Sequence, residues 1–223
     1  MKMMVNEGTQ VTTSAKTATY LINIKKLIKD HNIESDNVVQ MRTNSNISKT
    51  SDMPPLPYYY PDGDADMTLV FESRFESGNL LTAAKVSDSE YDMFLQNDIN
   101  TNGHTQWYFY RVSNTRKGAK VKFNLNNLSK SDSLYNDGMR ILVFSVKTKK
   151  ERDLGWHRAG TDISYFQNNL KKENLRFTRY YYTFTFTHTF EYDEDQVYFA
   201  HCFPYTYSDL QDDLTRIEKD SYT

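Results

Sequence analysis

The stretch that decides the fold is "YYYTFTFTHTF", residues 180–190. Successive side chains of an extended strand point to opposite faces, so this stretch separates its side chains into two sets. Residues 181, 183, 185, 187 and 189 form a mainly hydroxyl-bearing face, and the aromatic face carries Tyr182, Phe184, Phe186, His188 and Phe190. The pattern predicts a strand whose aromatic face lies in a core, and a register shift of one residue would exchange the two faces.

Similar short alternations recur between turn residues from residue 67 onward, at the spacing of an all-β sandwich. The predicted strands are 68–72, 90–95, 107–113, 119–125, 140–146, 179–190 and 197–202. The segment "SNTRKGAK" predicts a hairpin between the third and fourth of them, with Gly118 at positive φ. The 17 tyrosines and 13 phenylalanines also favour strands. We predict an all-β fold, an antiparallel β-sandwich with a flanking N-terminal helix and a C-terminal helix.

The predicted sandwich covers residues 67–206, and the regions on either side of it differ from it in composition and periodicity. Residues 1–66 form an N-terminal extension, in which 19–31 show the periodicity of a short amphipathic helix. A polar, proline-containing linker follows at 41–66. Residues 207–223 predict a further helix.

The predicted C-terminal helix has a start signal and an apolar stripe. Ser208 and Gln211 have the spacing of a capping box, which places the start of the helix at Ser208. The stripe consists of Leu210, Leu214 and Ile217.

Composition and charge exclude several classes of function. The 27 basic and 29 acidic residues give a formal charge of -2 without a basic block, so a nucleic-acid partner is not expected. The chain has no signal-peptide pattern and no apolar run of about 18 residues, which predicts a cytoplasmic protein without a membrane partner. A single cysteine, Cys202, excludes an internal disulfide framework and a cysteine-based zinc site, and we expect it to be a buried structural thiol.

The candidate catalytic residues do not form a convincing site. His31 and Glu34 have the H-x-x-E spacing of zinc ligands, but they lie in a polar segment that offers nothing to exclude water, so a histidine at a helix end is the better interpretation. Cys202 and His201 are adjacent, and adjacent strand residues face opposite ways. We therefore predict no catalytic residue and no metal ligand in this chain.

The doubled motif in "LVFESRFESGNLLTAAKV", residues 69–86, is the most unusual polar feature. If the chain stays extended, Glu72, Arg74 and Glu76 share one face, with the guanidinium between the two carboxylates. This set is either an exposed ion cluster or a polar cluster turned toward a partner domain. Paired catalytic acids are disfavoured because the guanidinium keeps both carboxylates ionised.

Several blocks of the sequence, taken in order, resemble one protein family. The blocks are "FESRFESGNL" (71–80), "EYD" (90–92), "HTQWYFYRVSN" (104–114), "SLYNDGM" (133–139), "GW" (155–156), "GTDISYF" (160–166), "YYTFTFTHTF" (181–190) and "VYFAHCFPYTYSDL" (197–210). Together they resemble the amino-terminal domain of the cytosolic carboxypeptidases, zinc peptidases that trim glutamate from tubulin and some other proteins. The resemblance covers residues 67–210. It implies a β-sandwich ahead of a carboxypeptidase domain, in a cytoplasmic protein associated with microtubules or cilia.

The resemblance also implies where the chemistry lies. In the family the zinc ligands belong to the catalytic domain, which follows the matched segment, so no zinc ligand is carried over to this chain. We expect an accessory domain without a cofactor of its own, whose partner is a carboxypeptidase catalytic domain in cis or in trans. The alternative is a stand-alone module that binds tubulin or another protein without catalysis. The residues predicted to contact the partner are Glu72, Arg74, Glu76, Asn79, Tyr205 and Tyr207.

Overall fold

The computed structural model of the protein describes the backbone of residues 38–41, and residues 61–63, 65–98, 101, 104–172 and 179–220. The predicted helix at 19–31, the pair His31 and Glu34 and most of the predicted linker lie outside these residues. No helix in the described ranges is long and apolar enough to cross a membrane.

Two β-sheets form the fold. The six-stranded sheet contains, in spatial order, β1 (Val38–Met41), β3 (Leu80–Ser87), β4 (Glu90–Leu95), β6 (Lys120–Leu128), β10 (Tyr180–Thr189) and β9 (Thr161–Lys171). The five-stranded sheet contains β2 (Val70–Glu72), β5 (Phe109–Ser113), β11 (Val197–Ala200), β7 (Ile141–Ser145) and β8 (His157–Ala159). Neighbouring strands are antiparallel, except that β4 and β6 are parallel. The predicted all-β sandwich is therefore confirmed, with one parallel pair in it.

An aromatic core joins the inner faces of the two sheets. Phe186 of β10 is fully buried, and its ring centroid lies 5.2 Å from that of Phe123 on β6 and 5.7 Å from that of Phe199 on β11. Phe184 and Phe190 are buried on the same face of β10, as the alternation predicts. Such ring pairs contribute about 0.5–1.5 kcal/mol each beyond the area that they bury.

The hydroxyl face of β10 is buried as well. The Thr183 hydroxyl donates to the Asn126 side-chain oxygen at 2.9 Å, and the Thr185 hydroxyl donates to that of Asn124 at 2.8 Å. These bonds run between β10 and β6 and satisfy polar groups that would otherwise be costly to bury. The sequence pattern predicts the two faces of β10, but the burial of both follows from the pairing with β6.

Three asparagine side chains bond the backbone of another segment as a peptide group would. The Asn127 amide accepts from Leu95 N and donates to Leu95 O, both at 2.8 Å. Asn136 makes the same pair of bonds with Tyr165, at 3.1 and 2.9 Å. Asn79 accepts from Phe109 N and donates to the carbonyl of residue 107. A primary amide carries one acceptor and two donor hydrogens, so it can extend a ladder where no strand is available.

Asn127 and Asn136 allow a matched test of this role, because Asn127 is buried and Asn136 is exposed. Replacement of either by Asp removes the donor and adds a charge. We expect Asn127→Asp to lower the free energy of unfolding by about 3 kcal/mol, because the new carboxylate is desolvated and faces a carbonyl. We expect Asn136→Asp to lower it by less than about 1 kcal/mol, because water solvates the new charge. Urea unfolding of both variants measures the difference, and equal losses would contradict the role assigned to burial.

His188 is a titratable group on the aromatic face of β10. It is partly buried, with its ring edge-on to those of Phe190 and Phe199 at centroid distances of 5.1 and 5.2 Å. Burial, and secondarily the nearby His157, lowers the pKa of His188 from 6.5 to about 4. The folded protein therefore holds this imidazole neutral where the unfolded chain protonates it.

This histidine predicts a loss of stability in mild acid. Above pH 6.5 the His188 side chain is neutral in both the folded and the unfolded state. As the pH falls toward about 4, only the unfolded chain binds the proton, so the free energy of unfolding decreases by an amount that approaches about 3 kcal/mol. His188→Leu should flatten this part of the pH profile. Urea unfolding at pH about 7 and about 4.5 compares the two proteins, and parallel profiles would show that another group is responsible.

Several predicted elements are confirmed and others are wrong. The seven predicted strands correspond to β2, β4, β5, β6, β7, β10 and β11. The predicted hairpin is wrong, because β5 and β6 belong to different sheets and the segment between them crosses from one sheet to the other. Its Gly118 does have a positive φ, of 80°, and its N–H donates to Phe190 O at 2.8 Å.

Further elements have no counterpart among the predicted ones: strands β1, β3, β8 and β9 and a short helix, α1 (Val146–Arg152). β1 lies in the predicted N-terminal extension and pairs with β3. Strand β3 begins with consecutive buried residues, and β9 is a largely polar strand that pairs with β10 alone among the described strands. Neither strand shows the regular alternation on which the predictions relied.

The C-terminal helix, α2 (Tyr207–Lys219), is confirmed, but its predicted cap is wrong. Thr206, rather than Ser208, is the N-cap: its hydroxyl accepts from Asp209 N at 3.1 Å, and the Asp209 carboxylate accepts from Thr206 N at 2.7 Å. An acidic residue near a helix N-terminus also interacts favourably with the helix dipole, which Gln211 cannot do to the same extent.

Candidate functional site

The doubled motif begins as strand β2, and only its first part keeps the two faces that an extended chain would have. Such a chain would place Phe75 on the core face with Phe71. This expectation is wrong, because the strand ends at Glu72 and Phe75 packs against Phe109 and Tyr198 on the outer face. Phe71 is buried in the core, 5.2 Å from the ring centroid of Tyr91, and the Ser73 hydroxyl donates to Leu80 O at 2.7 Å. On the other face Arg74 pairs with Glu72, with 2.6 Å between Nη2 and Oε2. The Arg74 side chain is 53% exposed, so this ion pair contributes little to stability.

The strand ends in a tight turn that needs a glycine. Gly78 N donates to Phe75 O at 3.0 Å, and Ser77 has a φ of 64°. A Cβ on Gly78 would lie 2.3 Å from Ser73 O, which the backbone cannot accommodate without moving. The Trp107 indole donates to Ser77 O at 2.7 Å and fixes the far side of the turn.

Glu76 connects this turn to the start of α2. Its Oε1 accepts from Ser208 N at 2.9 Å, one of the N–H groups in the first turn of a helix that have no partner within the helix. Hydrogen bonding by Ser208 lowers the pKa of Glu76. The second carboxylate of the doubled motif is thus used to hold the C-terminal helix.

The outer face of the five-stranded sheet carries a second set of aromatic side chains. We call this set the aromatic layer; it comprises Phe75, Trp107, Phe109, Phe144, Trp156 and Tyr198. Phe109 is buried, and the others are partly buried around it. Ring centroids are 4.9 Å apart for Phe75 and Phe109 and 5.5 Å for Phe144 and Trp156. Because the inner face of the sheet also packs into the core, this sheet is apolar on both sides.

Arg111 lies on the same outer face, opposite Glu72 on one side and Tyr198 on the other. Its Nε is buried, and no acceptor in the described part of the chain reaches it. Its Nη1 makes one long contact with Gln196 Oε1, at 3.4 Å. A buried guanidinium N–H without an acceptor is costly, so Arg111 is suited to donate to a carbonyl or a carboxylate oxygen from outside the sandwich.

The segment between β11 and α2 is exposed. Cys202 is exposed, so the prediction of a buried thiol is wrong: β11 ends at Ala200, and the inward position is taken by His201. Phe203, Tyr205 and Tyr207 are each about 60–70% exposed. The Tyr205 hydroxyl donates to the Asp213 carboxylate at 2.9 Å, which raises the pKa of Tyr205.

Helix α2 has no buried residue. The apolar stripe that the sequence predicts is present and exposed, with Leu210 at 38%, Leu214 at 45% and Ile217 at 51%. An amphipathic helix with an uncovered apolar face is typical of an element that packs against another body.

The residues predicted to contact a partner fall into two groups. Glu72, Arg74 and Glu76 are brought next to the aromatic layer through Phe75. Glu76 also bonds the first turn of α2, which begins at Tyr207 and follows Tyr205. Asn79 has a different environment: it bonds the backbone beside Trp107 and Phe109 and so positions two members of the layer.

The aromatic layer and Arg111 are absent from the residues singled out in the sequence. A signal for them exists in "WYFYRVS", where Trp107, Phe109 and Arg111 fall on one face while Tyr108, Tyr110 and Val112 fall on the other. Bulky side chains on both faces of one strand indicate a sheet that packs on both sides.

No group of three or more His, Cys, Asp and Glu side chains within the described ranges could hold a metal ion. The fold is that of a β-sandwich domain whose five-stranded sheet carries apolar side chains on its outer face. The chain belongs to the family described as the cytosolic carboxypeptidase N-terminal domain, whose sequence model matches residues 71–202.

Longer relatives share this region. The chain is 40% identical over 199 residues to cytosolic carboxypeptidase 3 of Mus musculus, an alignment that covers 85% of this chain and 19% of that protein. It is 48% identical over 149 residues to cytosolic carboxypeptidase 2 of Homo sapiens, which covers 67% of this chain and 16% of the relative. The chain thus spans less than one fifth of the length of each of these two relatives.

Among solved structures, a metallo-carboxypeptidase from Burkholderia cenocepacia aligns with 68% of this chain and 34% of its own, with a TM-score of 0.47 and 18% identity. At that TM-score the alignment supports no further statement about this chain.

The bond between Glu76 and Ser208 predicts a measurable effect on α2. We expect Glu76→Ala to accelerate amide hydrogen exchange of Ser208 and its neighbours in the first turn, because their N–H groups lose an acceptor. Glu76→Gln keeps an oxygen acceptor and serves as the control. If Ala and Gln gave the same exchange rates, or if neither changed them, the bond would not hold the helix.

Proposed function

We propose that this chain is the accessory N-terminal domain of a cytosolic zinc metallocarboxypeptidase, and that the aromatic layer is the surface on which the catalytic domain docks. The observation that carries the proposal is the sheet that is apolar on both faces, only one of which is used by the sandwich core. The complete enzyme would remove glutamate residues from proteins such as polyglutamylated tubulin, in the cytoplasm and near microtubules or cilia. The family membership of the chain supports this assignment.

The composition of the surface supports docking to a protein. Tryptophan, tyrosine and arginine are enriched among residues that dominate binding energy at protein interfaces. Here two tryptophans, Tyr198 and Arg111 lie on one face of the sheet. The doubled motif borders this face, and Glu76 bonds the first turn of α2. The proposed contact surface therefore also includes the exposed apolar stripe of α2.

Zinc is assigned to the catalytic domain rather than to this chain. The described residues do not provide three ligands in one place, so the donor set does not fit a catalytic zinc site. Peptide hydrolysis by a metallopeptidase requires a Lewis acid and an activated water. The contribution of this chain is then to fold with the catalytic domain, cover an apolar surface of it and position it.

The docking surface is tested by mixing this chain with a separately expressed catalytic domain of the human relative and measuring both binding and glutamate release from polyglutamylated tubulin. We expect release in the mixture to exceed that of either component alone. Arg111→Met should weaken binding by about tenfold or more, because it removes a charged hydrogen bond to the partner. The same variant should not destabilise the isolated chain, because it removes a buried donor that has no acceptor there.

Two further variants make this test specific. Trp156→Ser should also weaken binding, since it removes a large ring from the layer. Phe166→Ser is the matched control, because Phe166 is exposed on β9 in the other sheet, and it should leave binding unchanged. Equal effects of the Trp156 and Phe166 variants would refute docking through the aromatic layer. Tubulin binding by the chain alone, with no gain in hydrolysis, would instead identify a stand-alone interaction module.

A further inference from the structure

A small polar cavity opens at the side of the core, away from the aromatic layer. Its lining includes Lys130, Asp132, Tyr135, Tyr165 and His201. The enclosed space is about 10 Å³, room for a single water-sized group. Only the end of a side chain or a very small molecule can therefore enter it.

A chain of hydrogen bonds runs from the core to this cavity. The Tyr108 and Tyr135 hydroxyl oxygens are 2.6 Å apart, and the Tyr135 hydroxyl oxygen is 3.1 Å from His201 Nδ1. Tyr108 is fully buried and Tyr135 nearly so. Both tyrosines stay protonated at neutral pH, because burial raises the pKa of each.

The burial of Tyr108 sets the direction of these bonds. The Tyr108 hydroxyl is paired with the Tyr135 hydroxyl. If Tyr108 only accepted a hydrogen bond from Tyr135, its own hydroxyl proton would be buried without an acceptor. Tyr108 therefore donates to Tyr135, which donates to Nδ1 of His201. Burial, Arg158 and Lys130 lower the pKa of His201, so the ring is neutral at neutral pH. With Nδ1 as the acceptor, the single ring proton is on Nε2.

The charges near the cavity favour an anion as the acceptor for this proton. Lys130 and Arg158 both act on His201 electrostatically. Neither forms an ion pair with a carboxylate among the described residues; Arg158 donates instead to Arg140 O. The one carboxylate in the lining, that of Asp132, accepts from Ser133 N at 2.8 Å. The lining itself holds one cation, Lys130, and one carboxylate. Arg158 lies outside the lining and adds a second positive charge that acts on His201.

We propose that this cavity takes up one oxygen of a carboxylate group, which accepts from His201 Nε2 and pairs with Lys130. The ligand is either a small free carboxylate or the carboxylate of an acidic protein segment, since both present the same oxygen to the cavity. The proposal does not depend on the docking function, because it uses neither the aromatic layer nor α2.

The test follows the ring nitrogens of His201 by long-range proton–nitrogen NMR of the full chain at neutral pH and constant ionic strength. Acetate is the first probe. We expect the Nε2 signal to move and to saturate with acetate but not with chloride. Lys130→Met should weaken the acetate affinity by about threefold to fivefold, the range for a partly exposed ion pair. Lys120→Met is the control, because Lys120 pairs with Asp162 and is not part of the cavity lining.

A third variant tests the hydrogen-bond chain. Tyr135→Phe removes the donor to Nδ1, so the ring should populate both neutral tautomers, which the nitrogen shifts report, and acetate binding should weaken. A purely structural role for Tyr135 would leave the tautomer unchanged. No saturable shift with acetate, an equal shift with chloride, or an unchanged affinity in Lys130→Met would each overturn the proposal.

Two peptides distinguish the sources of the carboxylate. A short all-glutamate peptide that binds more tightly than acetate, while its all-glutamine counterpart does not bind, identifies an acidic protein segment. If the all-glutamate peptide and acetate have equal affinity per carboxylate, the ligand is a small free carboxylate.

Discussion

Contact between the two sheets runs through Phe186, whose ring lies against those of Phe123 in its own sheet and Phe199 in the other. Phe123 and Phe199 are in turn 5.3 Å apart between their centroids, so the three rings form one unit across the core. Because interiors pack as densely as organic crystals, this unit sets the distance between the sheets, together with other ring pairs that cross the core, such as Phe71 with Tyr91 and Tyr108 with Phe184. The positions of β5 and β11, and hence of every side chain on the outer face of the five-stranded sheet, depend on it.

The aromatic layer and the cavity lie on different sides of the same strand. Trp107 and Phe109 point outward into the layer, whereas Tyr108 points inward and begins the hydrogen-bond chain to Tyr135 and His201. Asn79 bonds the backbone on both sides of Tyr108. One segment therefore positions both features, and its alternation separates the apolar outer face from the hydrogen-bonded hydroxyl of Tyr108 on the inner side.

Much of this arrangement could be predicted from local sequence. The alternation in β10 and the apolar stripe of α2 are local properties, because they depend only on side-chain periodicity in a strand or a helix. The doubled motif is not one of them, because its strand ends at Glu72 and Phe75 turns to the outer face. Elements without that periodicity could not be predicted in this way. β3 starts with a run of buried residues, and β9 is mostly polar; each is a strand because a neighbour pairs with it.

The sequence by itself determined the all-β class, the faces of the main strands, the amphipathic C-terminal helix and the family to which the chain belongs. Only the tertiary structure decided that β5 and β6 separate into different sheets, that Cys202 is exposed, and that Glu76 bonds Ser208 rather than acting solely in a local charge cluster. It also decided that the five-stranded sheet is apolar on both faces and that Tyr108, Tyr135 and His201 meet. The physical reason is range: periodicity acts over a few residues, whereas these contacts join groups up to 132 residues apart in the chain.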